Sequence, residues 1–155
     1  MLPTPTCFML AAGAAEGPTP LNAFDNALLA AGLGNVNLLK ISSVLPPGAR
    51  REERLAIPPG SLVPTAYGYV VGEEPGERLA AAVAVGVQRD GFGIIMEFAG
   101  RCGREEAEEA ARAMVRAAFA RRGIPLHELH ACGVEHRVER IGCAFAAVAL
   151  WYGTR

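Results

Sequence analysis

Two adjacent serines sit in the stretch Lys40–Gly48, KISSVLPPG, at the end of a mostly apolar run and just before a double proline. A hydroxyl beside a backbone carbonyl can attack it. If Ser43 attacks the carbonyl of Ser42, the amide becomes an ester, and β-elimination from that ester leaves dehydroalanine at position 43. Hydrolysis of the enamine tautomer then gives a pyruvoyl group that caps the new N-terminus. Such a ketone forms a Schiff base with an amine substrate and serves as an electron sink, as a pyridoxal cofactor would. A serine pair is also ordinary turn punctuation, and the dipeptide alone does not choose between these readings.

Two carboxylates break apolar patterns elsewhere. In GFGIIMEFAG, strand alternation puts Phe92, Ile94, Met96 and Phe98 on one face and Ile95 with Glu97 on the other, so Glu97 is the one charge in a strand that is otherwise apolar on both sides. Burial would raise its pKa and make it a proton donor near neutral pH, or it pairs with an arginine across the sheet. On a helical wheel Asp25 falls within the arc of Leu21, Phe24, Leu28 and Leu29. It then either hydrogen-bonds a neighbouring loop or waits for a cationic ligand.

Other arrangements carry less chemistry. HELHACGVEH would place His130, Cys132 and His136 on one strand face, but the spacing matches no common zinc pattern and His127 points the other way. No metal site is expected. AAGLGNVN lacks both the spacing and the following helix of a phosphate-binding loop.

The elements that must position these groups follow from the patterning. Thr19 and Pro20 open a helix that Gly32 stops. A strand is expected over Val36–Val44, and the polar, proline-bounded 49–61 segment should be an exposed loop or lid. Strands follow at Thr65–Val71, Ala80–Val87 and Phe92–Phe98. Gly103–Arg122 reads as a helix with Ala107, Ala111, Met114, Ala118 and Phe119 as its apolar stripe. Glu128–Glu139 and Cys143–Tyr152 complete about six strands, and the whole reads as an α+β sandwich with helices packed on sheets.

Composition bounds the function. The 155 residues suit one domain, and the formal charge of −1, with both signs spread along the chain, offers no footprint for nucleic acid and no polybasic membrane patch. The longest apolar stretch, Ala144–Tyr152, is far shorter than the roughly 20 residues of a spanning helix. The N-terminal MLPTPTCFMLAAGAA lacks a basic leader, so a cytoplasmic protein is expected, with Cys7, Cys102, Cys132 and Cys143 as reduced thiols. Small molecules and protein partners remain the expected ligands.

GNVNLLKISSVLPPG, together with GPTPLNAFDNALLAAG upstream and LVPTAYGY, IIMEFAG, VEH and GCAFAAVALWY downstream, closely resembles the pyruvoyl-dependent arginine decarboxylases from about Gly13 to Tyr152. The resemblance implies a four-layer αββα sandwich that cleaves itself between Ser42 and Ser43 into a β chain, 1–42, and an α chain, 43–155. It implies a pyruvoyl cofactor made from Ser43, with no metal and no pyridoxal phosphate, and a homo-oligomer of cleaved units, trimeric or hexameric. Arginine would be converted to agmatine and CO₂, a step toward polyamines. By position, Glu97 matches the proposed proton donor, Asp25 the carboxylate that binds the guanidinium, and Asn37 an asparagine needed for self-cleavage, while Leu21, Gly34, Val36 and Val44 match residues lining the pocket. Where the family often carries small hydroxyl residues, this chain has Ala14 and Ala15. Two alternatives stay open: a pyruvoyl decarboxylase for another amino acid, and an uncleaved subunit without catalysis.

Overall fold

Ten residues of mostly small side chain begin the fold. Cys7–Glu16 forms strand β1, which the sequence patterning did not foretell, in a computed structural model that describes residues 2–153. The remaining elements are α1 (Pro20–Ala30), β2 (Asn37–Lys40), β3 (Val44–Leu45), β4 (Arg50–Arg51), β5 (Leu62–Gly72), β6 (Arg78–Val87), β7 (Gly93–Gly100), α2 (Arg104–Arg122), β8 (Glu128–Arg137) and β9 (Gly142–Trp151). They build two sheets, one in the order β2-β5-β9-β1-β4 and one in the order β3-β7-β6-β8. The arrangement is α+β: the sheets face each other, α1 covers the outer face of the first and α2 that of the second.

The strand expected over Val36–Val44 is two strands in two sheets. β2 runs parallel to β5 in the first sheet, and β3 runs antiparallel to β7 in the second. Residues 41–43 are the crossing between them. The expected loop at 49–61 contains the short β4, which pairs in parallel with Cys7 and Phe8.

Small residues decide how α1 sits. Thr19 caps it, with its Oγ1 accepting from the Asn22 N–H at 3.1 Å, and Pro20 opens its first turn. Ala23, Ala27 and Leu28 are buried, and a Cβ added at Gly13 would lie 2.5 Å from the Ala27 carbonyl. Glycine there lets the helix backbone approach β1. The packed arc is therefore centred on alanines, and Leu21, Asp25 and Leu29 lie outside it, exposed. Asp25 does not share the buried face as the wheel suggested, because the wheel weighed large residues and the contact is made by small ones.

On α2 the buried stripe is Ala107, Ala111, Val115, Ala118 and Phe119, so Val115 replaces the expected Met114, which is exposed. Gly123 ends the helix at φ 64°, a left-handed conformation that glycine adopts without strain. Between the sheets lies an apolar core that includes Leu45, Ala66, Val83, Val85 and Ile95.

Glu16, at the end of β1, ties that strand to β8 and the turn that follows it. Its Oε1 accepts from the backbone N–H groups of Glu139, Arg140 and Ile141 at 3.2, 2.7 and 3.1 Å, and its Oε2 lies 2.5 Å from His136 Nε2. Burial opposes the charge, but these donors outweigh it and hold the carboxyl below its ordinary range.

Candidate active site

The Ser42–Ser43 bond lies where the chain passes from one sheet to the other. The last rung on the first sheet is the Ile41 N–H to the Thr65 carbonyl, 3.1 Å, and the first rung on the second is the Ile95 N–H to the Ser43 carbonyl, 2.7 Å. Between these rungs, the Ser42 carbonyl and the Ser43 N–H take no hydrogen bond among the described residues. Ser42 is exposed and Ser43 half-buried. The bond is thus clamped on both sides and free in the middle.

Glu97 stands beside this crossing. The β3–β7 register pairs Val44 with Ile94, which sets position 43 opposite Ile95. Side chains two apart on a strand share a face and stand about 7 Å apart, so Glu97 is the next residue along from Ile95 on the face toward the other sheet. Ile95 is buried in the core between the sheets, as the alternation of GFGIIMEFAG led us to expect. Glu97 itself is half-buried, under Gly68 of β5, where an added Cβ would lie 3.1 Å from Glu97 Cγ. Burial pushes its carboxyl above the ordinary range, and this outweighs the opposing effects of the Lys40 cation and its own backbone amide.

Lys40 ends β2. Its Nζ donates to the Tyr67 carbonyl at 2.8 Å and sits 4.2 Å from the centre of the Tyr67 ring. That ring belongs to an aromatic cluster on the α1 side of the sheet, where Phe24 lies 4.6 Å from Tyr69 and 5.8 Å from Phe145 between centroids. Sequence patterning did not single out Lys40 or Gly68. Only the strand register shows what either one faces.

The other expected site residues are dispersed. Gly34 and Val36 line a cavity of about 190 Å³ with Leu29, Leu55 and Ile57, at the junction of α1 and β2. Leu21, Asp25 and Val44 are exposed. Asn37, at the start of β2, donates from Nδ2 to the Gly60 carbonyl at 3.2 Å, toward the turn at 58–61. Five residue steps of near-extended chain separate it from Ser42, up to about 17 Å. By register the chain sets Ser43 and Glu97 along one strand face and leaves Asp25 and Asn37 exposed.

The histidines that tempted a metal reading are engaged elsewhere. His130 lies 3.1 Å from both Glu128 and Arg51, and His136 is held by Glu16. No helix among the described residues is long and apolar enough to cross a membrane.

A serine pair at a sheet crossing, with one half-buried acid beside it, is set beside what the chain is similar to. The family described as "Pyruvoyl-dependent arginine decarboxylase (PvlArgDC)" matches residues 7–155. The pyruvoyl-dependent arginine decarboxylase of Methanocaldococcus jannaschii is 51% identical, over 96% of this chain and 91% of that protein. Those of Methanococcus aeolicus, 48% identical over 96% of this chain and 91% of theirs, and Pyrococcus horikoshii, 45% identical over 96% of each, extend the likeness. Matched over residues 7–155, with relatives covered over more than nine-tenths of their length, the chain belongs to the pyruvoyl-dependent arginine decarboxylase family.

Proposed function

We propose that this chain cuts itself between Ser42 and Ser43 and decarboxylates L-arginine to agmatine. The observation that carries the reading is the unbonded Ser42–Ser43 peptide between two fixed rungs, with Glu97 next along the same strand face. Cleavage needs one water and releases one ammonia. The Ser43 hydroxyl attacks the Ser42 carbonyl, and its proton passes to the Ser43 nitrogen as the C–N bond breaks. The Cα proton of residue 43 is then lost, the Ser42 carboxylate departs from Cβ, and hydrolysis of the enamine leaves the pyruvoyl cap. The products are fragments 1–42 and 43–155 of one folded unit.

The residues present fit such a cap. Position 43 is half-buried, its carbonyl is fixed by the Ile95 N–H, and the only charged group on its strand face of β7 is Glu97. When present, the pyruvoyl group supplies an electrophilic carbonyl that binds the substrate amine and accepts the electron pair released as CO₂ departs. Glu97, whose carboxyl burial pushes above the ordinary range, delivers a proton to the substrate α-carbon. Apolar neighbours such as Leu45 and Ile95 favour a step in which a localised negative charge disperses. Asp25 accepts a bidentate pair from the guanidinium, which selects a cationic side chain.

A second copy of the chain completes this site. Leu21 and Leu62 are 74% and 58% exposed, and with Leu29, Leu39 and Tyr69 they leave exposed apolar area on α1, β2 and β5. We read it as the contact of a homo-oligomer, a trimer that can pair into a hexamer, in which a neighbour's face covers Asp25 and brings an Asn37 to the bond being cut. The helix–sheet–sheet–helix order is then the αββα sandwich of the family.

Intact mass of the purified protein tests the reading. Two fragments, the larger blocked at its N-terminus and gaining a substrate adduct when arginine and a hydride reductant are added, are expected. A single chain that never cleaves refutes it.

A further inference from the structure

The parallel ladder between β2 and β5 stops one rung early. Asn37 N–H donates to the Ser61 carbonyl at 2.8 Å and Ile41 N–H to the Thr65 carbonyl at 3.1 Å, and each rung advances both strands by two residues. Continued by one rung, the ladder would join the Ser43 N–H to the Tyr67 carbonyl. That carbonyl instead accepts from Lys40 Nζ at 2.8 Å. The lysine stem reaches it across the Tyr67 ring, which lies on the same face of the sheet.

We propose that Lys40 keeps the scissile peptide out of the first sheet, its ammonium occupying the ladder acceptor that the Ser43 amide would otherwise take. The inference rests on reading Ser42–Ser43 as the self-cleaving bond and assigns Lys40 a positioning role in that step. The chemistry explains why position matters. As the C–N bond breaks, the Ser43 nitrogen must leave the peptide plane and receive the proton of its own hydroxyl. A peptide bond resists twisting, and a ladder bond through its N–H holds it flatter still. With Tyr67 occupied, the chain is free to turn at 42 and 43 and to enter the second sheet at Ser43. A methionine at 40 keeps a stem on the Tyr67 ring but has no donor, whereas an arginine keeps both.

Two measurements test this. The first is the rate of self-cleavage followed by intact mass, with folding checked by circular dichroism. Lys40→Met should slow cleavage by about tenfold or more, the equivalent of one hydrogen bond gained by the uncut chain, and Lys40→Arg should restore it to within about threefold. Unchanged cleavage in Lys40→Met overturns the proposal. The second measurement needs neither cleavage nor activity. In Ser43→Ala, which cannot cut, the backbone amide at position 43 should exchange with solvent as a free amide. Adding Lys40→Met should protect it by about tenfold as β2 extends to Tyr67. An amide at 43 already protected with Lys40 present, or one left unprotected without it, overturns the proposal. If the parent chain never cuts, the maturation reading falls, while exchange at position 43 still decides what Lys40 does.

Discussion

Glu97 carries opposite demands in one carboxyl: burial between sheets favours its neutral form, and the Lys40 cation nearby favours the charged one. Burial prevails, so the folded-state pKa lies above the unfolded one. Between those two values the folded protein binds more protons than the unfolded chain, and stability falls as pH rises through that window. Glu97→Gln removes this slope, so its melting temperature relative to the parent should climb from acid to neutral pH, which calorimetry at several pH values would show. If the protonated carboxyl donates to the α-carbon, turnover should also fall as pH rises through its pKa. In the same variant kcat should drop by about 10²–10⁴, with KM changed only a few-fold; full activity excludes it as the donor. Asp25 should separate binding from maturation: Asp25→Asn should raise KM for arginine roughly ten- to a hundredfold, as expected for about 1.5–3 kcal/mol of charge-assisted hydrogen bonding, while self-cleavage proceeds at the parental rate.

At the level of elements, glycines set the distances. Gly68 leaves room for Glu97, and Gly68→Ala would press a methyl against Glu97 Cγ at 3.1 Å and Cβ at 3.3 Å. The expected outcome is a several-fold loss of kcat with a stability cost of about 1 kcal/mol, read from steady-state kinetics beside a denaturant titration. Gly13→Ala is harsher, because its Cβ would meet backbone, the Ala27 carbonyl and the Ala31 nitrogen, at 2.5 Å. It should cost about 1–3 kcal/mol and lift α1, carrying Asp25 with it, so KM should rise as well. These close approaches also explain what was legible in the sequence. The face of Glu97 could be read because β7 alternates cleanly between two buried sides. β1 could not, because alanine and glycine are poor strand formers and carry little alternation. Nor could the break at 41–43: NLLKISSVL has the pattern of one strand, and which sheet each half joins depends on partners that β5 and β7 supply only later in the chain.

For the whole molecule, the proposed oligomer turns on the exposed apolar residues near the β2 edge. Leu62→Glu places a charge there without touching Ser43, Glu97 or Asp25. It should yield a smaller particle in sedimentation experiments and lose most arginine turnover; an unchanged particle size argues against this edge as the contact. Cutting at 42–43, if it occurs, also changes what kind of object the protein is. β1 pairs along all ten of its residues with β9 and is flanked on its other side by β4, yet it belongs to the piece that precedes the cut. In the precursor, β1 and β9 belong to one molecule, so their pairing is indifferent to dilution. Once cut, the same sheet can be recovered from denaturant only by two molecules finding each other, so recovery of the β1–β9 pairing in the mature protein should depend on concentration, whereas in Ser43→Ala only the assembly of copies should. Maturation would in this way record, irreversibly, that the sheet had already formed when the bond was broken.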